Sequence, residues 1–77
     1  MEFCLNTKTG NVMADNKSIV YFEKRNGAVY PYIKRRGKQY FLTPMEIAQF
    51  ATAGKWFIQH NNCDFGPEIN QMCLGVK

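Results

Sequence analysis

The chain has 77 residues, 45% of them hydrophobic and 14% aromatic, with a formal net charge of +4. A chain this short forms one domain around a small core, and this composition argues against disorder of the whole chain. The charge is local: between Lys24 and Lys38 stand six Lys and Arg residues and no acid, while the rest of the chain has four lysines against six acids, a net of −2.

Met1 to Lys17 is weakly patterned. Phe3 and Leu5 alternate with polar neighbours, Thr7-Lys8-Thr9-Gly10 reads as a turn, Val12-Met13 pairs back, and Ala14 to Lys17 reads as a second turn. An opening hairpin is expected here, with a flexible arm as the alternative. The segment MEFCLNTKTG has no basic start leading into an apolar run, and no stretch approaches the ~18 apolar residues of a membrane span.

Residues 18–42 read as a three-stranded meander. Ser18 to Lys24 alternates and is rich in β-branched and aromatic residues. Asn26-Gly27 follows, the strongest short hairpin signal, because a type I′ turn needs positive φ at both central positions. That turn sets Glu23 opposite Tyr30 and Tyr21 opposite Tyr32. Tyr21, Glu23, Tyr30 and Tyr32 then share one face; Val20, Phe22, Val29, Pro31 and Ile33 share the other, with the stem of Lys24. Pro31 lacks a backbone donor and needs a position where none is required. Arg35-Arg36-Gly37 fits a three-residue loop, with Lys34 opposite Lys38, Tyr40 on the tyrosine face and Phe41 on the core face. A two-residue loop at Arg36-Gly37 would exchange Tyr40 and Phe41.

Thr43-Pro44-Met45-Glu46 marks a helix start: Thr43 as cap, Pro44 at the first position, Glu46 closing a capping box. Ile47, Phe50, Ala51, Gly54, Phe57 and Ile58 recur at steps of three and four, which predicts one amphipathic helix over residues 44–61. Gly54 lies on the apolar stripe, where a small residue permits close approach to the sheet or to a second helix. The alternative ends the helix at Gly54 and makes Lys55 to His60 a strand. Residues 62–77 read as a loop and a short helix from Pro67 to Leu74, with Gly75 beyond it. The expected fold is one α+β domain, an antiparallel meander of three to five strands followed by one long helix packed on one face.

Flat aromatics stack on unpaired bases while cations follow phosphates, so a face carrying tyrosines beside basic residues suits single-stranded nucleic acid. The candidate residues are Lys24, Arg25, Tyr30, Tyr32, Lys34, Arg35, Arg36, Lys38 and Tyr40, with Tyr21 beside them. The same residues also serve solubility and β propensity in an ordinary solvent-facing sheet. His60, Cys63, Cys73 and Cys4 supply the ligand count of a structural zinc site, but with no Cys-x-x-Cys knuckle among them. Three widely spaced cysteines do not suggest a disulfide framework, and the expectation is a reduced, cytoplasmic protein. Cys63 or Cys4 with His60 is a weak nucleophile–base pair, with no phosphate-binding glycine loop or paired carboxylates beside it, so no enzyme activity, cofactor or metal is assigned. Trp56, Met45 and Phe65 lie off or beside the helix stripe and would suit a dimer face or a protein partner.

Two stretches resemble the positive-cofactor-four family of transcriptional coactivators and single-stranded-DNA-binding proteins. Lys24-Arg25-Asn26-Gly27-Ala28-Val29 leading to Ile33-Lys34 is similar to the family's hairpin. Gly37-Lys38-Gln39-Tyr40-Phe41-Leu42-Thr43-Pro44-Met45-Glu46 is similar to its last strand running into a long helix. The resemblance implies a homodimer that binds single strands on its curved sheets, with Lys24, Lys34 and Lys38 on phosphate. The order of three strands and a helix is also similar to plant-type and integrase-arm DNA-binding domains, which read duplex. The expected function is non-enzymatic nucleic-acid binding, DNA or RNA and preferably single-stranded, as a transcription or replication accessory. The rival is a small phage-type regulator that binds a host protein.

Overall fold

The computed structural model describes residues 1–75. Five strands follow one another in space as in sequence: β1 (Phe3–Asn6), β2 (Asn11–Ala14), β3 (Ser18–Arg25), β4 (Ala28–Arg35) and β5 (Lys38–Phe41). All pairings are antiparallel. Two helices follow, α1 (Pro44–Asn61) and α2 (Pro67–Leu74). The sheet has the largest strand number expected, because the opening hairpin is present and continuous with the meander. The expected fold named one long helix, which is α1; the short helix read from Pro67 to Leu74 is present as α2 and also packs into the core.

The β2–β3 pairing is brief, limited to Met13 with Ile19 and Ala14 with Ser18. Beyond Ile19, β3 pairs with β4 from Val20–Ile33 to Arg25–Ala28. β3 thus belongs to two ladders that separate along its length. Phe50 of α1 spans them, its ring 5.6 Å from that of Phe3 on β1 and 5.3 Å from that of Phe22 on β3. Phe50 is fully buried, in a core with Val12, Ala14, Val20, Ile33, Leu42, Phe57, Ile69 and Cys73. Every strand residue in that set lies on the same side of the sheet, as the period of two requires.

The β3–β4 register is the expected one, with Tyr21 opposite Tyr32 and Glu23 opposite Tyr30. The β4–β5 register is not. Its loop has two residues, Arg36 and Gly37, at φ 53° and 77°. Arg35 therefore faces Lys38, Lys34 faces Gln39, Ile33 faces Tyr40, and Tyr32 faces Phe41. Arginine is a poor left-handed residue, which made the three-residue loop the cheaper local choice. The long-range terms decide otherwise. The two-residue register sends Leu42, rather than Phe41, into the core, where it is 7% exposed. It also places Pro31 opposite the end of β5. Phe22 and Pro31 form a non-hydrogen-bonded pair in the β3–β4 ladder, so the peptide edge of Pro31 turns toward β5. There its carbonyl accepts from the Leu42 N–H at 3.0 Å. Its missing donor falls beyond the last strand residue, where the ladder ends in any case.

Helix α1 begins as read. Thr43 Oγ1 accepts from the Glu46 N–H at 3.3 Å, and the Thr43 N–H donates to Glu46 Oε1 at 2.9 Å, a closed capping box. The helix runs unbroken through Gly54 and ends at Asn62, which takes the left-handed backbone. Gly54 is where α2 crosses closest: a methyl group built on its Cα would fall on Cys73 Sγ. The connection between the helices is tied by Asp64, which accepts from the Gly66 N–H at 3.0 Å and Asn70 Nδ2 at 2.7 Å; Asn70 Oδ1 accepts from the Phe65 N–H at 3.0 Å. These two donors hold the Asp64 carboxyl below its ordinary range.

Candidate nucleic-acid interface

Both helices lie on one face of the sheet. Among the described residues no element packs on the other. Alternation assigns Tyr21, Glu23 and Arg25 of β3, Tyr30, Tyr32 and Lys34 of β4, and Gln39 and Phe41 of β5 to that open face. Cross-strand pairing then sets three rings side by side. Tyr21 and Tyr32 stack at 5.6 Å with 23° between their planes, and Tyr32 and Phe41 tilt together at 5.5 Å. Tyr21, Tyr30 and Phe41 are exposed, and Tyr32, between its neighbours, is half-buried. The row crosses β3, β4 and β5 roughly at right angles to the strands.

Two cations flank the row. Lys34 Nζ sits 4.8 Å from the centre of the Tyr21 ring, and the Arg25 guanidinium 5.5 Å from that of Phe41. Arg25 also pairs with Glu23 Oε2 at 2.9 Å, so much of its charge is spent within the face. No carboxylate among the described residues lies within ion-pair distance of Lys34, Arg35, Arg36 or Lys38. Positive charge is therefore concentrated at the β4–β5 turn, to one side of the aromatic row.

The nine residues read as a single site divide between two sides of the sheet. Arg25, Tyr30, Tyr32 and Lys34 share the open face, and Arg36 is at the turn tip. Lys24, Arg35, Lys38 and Tyr40 belong to the helix side by alternation. Lys24 is held there, its Nζ 3.1 Å from Glu68 Oε1 on α2. A backbone N–H at the start of α2, with Lys24 beside it, keeps the Glu68 carboxyl below its ordinary range. The expectation that Tyr40 completes the tyrosine face and that Lys34 opposes Lys38 is thus corrected: Phe41 completes the row, and the like charges that meet are Arg35 and Lys38. Phe41 was missed because its face depends on loop length, which the local sequence leaves open.

Tyr40 is nonetheless half exposed. It lines a cavity of about 400 Å³ at the β5 edge, together with Met1, Ile33, Arg35, Phe41, Leu42 and Glu46. Met1, Leu42 and Glu46 carry no pattern marking them as site residues; Leu42 and Glu46 follow closely after Tyr40, and the tertiary fold brings Met1 to them.

The other candidate chemistry disperses. Among the described residues no group of three or more His, Cys, Asp or Glu side chains is placed to hold a metal. His60 stacks on Trp56 at 4.5 Å, and its Nδ1 lies 3.1 Å from the Trp56 carbonyl. Cys73 is buried against Gly54, and burial pushes its thiol up from 9.0 to about 11, away from nucleophilic use at neutral pH. No helix among the described residues is long and apolar enough to cross a membrane.

Compared with known proteins, the chain matches no family model, no curated protein and no solved structure. The likeness to the coactivator family therefore rests on the quoted residues alone.

Proposed function

We propose that this protein binds single-stranded nucleic acid on the open face of its sheet, without enzymatic activity, as an accessory to transcription or replication. The observation that carries the reading is the row Tyr21–Tyr32–Phe41, three rings on adjacent strands of a face that no other element among the described residues covers. Every base has a flat face to stack, and each base–aromatic contact is worth about 1–3 kcal/mol. Lys34 on the open face and Arg36 at the β4–β5 turn supply phosphate contacts beside the row. A duplex offers no free base faces, so the row favours single strands over duplex. Oligonucleotide binding followed across a salt series tests the reading. Affinity for single strands should exceed that for duplex and fall steeply as salt rises, by counterion release. Absence of micromolar binding at low salt defeats it.

A homodimer forms part of this proposal, and light scattering at two protein concentrations checks it. A second reading, binding of a host protein, is favoured by Met45 and Trp56, which stand 73% and 53% exposed on one side of α1. Large exposed apolar side chains on one helix stripe suit a protein contact. Trp56→Ala abolishing capture of a protein partner, with oligonucleotide binding absent, would support this rival.

A further inference from the structure

We propose that the cavity at the β5 edge receives one nucleobase of the bound strand, with preference for guanine. The inference rests on the nucleic-acid reading above and adds to it a base-specific site. Phe41 belongs to both places: its ring adjoins Tyr32 in the aromatic row and also lines the cavity. The row therefore leads to the cavity mouth, around the sheet edge formed by β5. The volume, about 400 Å³, lies within the range of small-ligand sites.

The lining is chemically two-sided. Ile33, Leu42, Met1 and Phe41 offer apolar walls for a flat heterocycle. Arg35 supplies donors only and Glu46 acceptors. Arg35 and Glu46 line the same cavity, yet no ion pair joins them, so both remain available to a ligand. Glu46 Oε1 is engaged by the Thr43 N–H, which fixes the side chain and leaves Oε2 for a ligand. Guanine matches this arrangement best: its O6 and N7 form the acceptor pair that Arg reads most often, and its N1–H and N2–H present two donors to a carboxylate. Adenine offers no such pair of ring and exocyclic donors on one edge. Arg36 and Lys38 beside the cavity provide for the flanking phosphates.

The test uses fluorescence anisotropy with an all-thymidine oligonucleotide of about ten nucleotides, within the span a small sheet domain occupies. It is compared with versions carrying one guanine or one adenine at each position in turn. The expected result is a gain of about tenfold for guanine at one position and none for adenine there. Arg35→Gln and Glu46→Gln should each remove most of that gain while binding of the all-thymidine strand largely persists. Glutamine is compatible with the capping box, so Glu46→Gln tests the charge without removing the helix cap. Strands that bind without guanine preference, or a preference unchanged in both variants, overturn the cavity assignment alone. Failure of every oligonucleotide to bind overturns the nucleic-acid reading together with it.

Discussion

The two faces of this sheet are made by the same strands and have opposite fates. Along β4, Pro31 and Ile33 are buried beneath the helices, while Tyr30, Lys34 and the edge of Tyr32 meet solvent. The covered face is apolar at its centre, where Val12, Ala14, Val20 and Ile33 meet the helices, and holds the fold. The open face is aromatic and charged, and its rings pack mainly on one another. Stability and binding are therefore assigned to alternate residues of one strand, and substitutions should separate them.

The sharpest separation comes from the centre of the covered face. Phe50→Ala removes the ring that joins the β1–β2 hairpin to β3, at a cost of about 3–5 kcal/mol. A core this small supplies about as much in total. The variant is expected to be largely unfolded by circular dichroism without denaturant.

Gly54→Ala breaks the covered face by overpacking. In an open helix this change gains about 1 kcal/mol. Here the new methyl meets Cys73 Sγ, and overpacking costs about 1–3 kcal/mol. A net loss in urea stability is expected. In a Cys73→Ala background the same change should be neutral or stabilising, because the clashing atom is gone. A loss of equal size in both backgrounds would show that the contact with α2 is not the cause.

Tyr32→Ala addresses the open face. It removes the middle ring of the row and should weaken single-strand binding by about 1–3 kcal/mol, with a smaller stability change than Phe50→Ala. Equal losses of folding and binding would erase the distinction between the faces.

The smallest effect is expected from the exposed clip between β3 and α2. The folded pKa of Glu68 is depressed below 4.5, so the stability that it contributes is present above that pH and is lost as pH falls through the folded value. The difference in urea midpoint between the parent and Lys24→Met should be small at neutral pH, shrink with added salt, and vanish below that window.

Local chemistry made much of this fold legible. Asn26-Gly27 fixed the β3–β4 register because few dipeptides take positive φ twice at low cost. Thr43, Pro44 and Glu46 placed the start of α1, since a capping box satisfies its donors within four residues. The tyrosine face followed from counting by twos back from a known turn. The β4–β5 loop resisted the same treatment. Arg36 argues locally against the two-residue turn, and only the burial of Leu42 and the position of Pro31 override it. For that reason Tyr40 and Phe41 exchanged faces. The cavity was less legible still, because Met1 is far from Tyr40 in the chain and no local pattern brings the two together.

By itself, then, the sequence determined what short-range forces control: the strands, the turn at Asn26-Gly27, the bounds of α1, and a basic segment rich in tyrosine. The tertiary structure decided which ring completes the stacking row, that Lys24 is tied to Glu68 while Lys34 rides over Tyr21, and that Gly54 admits α2. Those outcomes depend on contacts between residues distant in the chain, where burial of one apolar side chain outweighs the preference of a single turn residue.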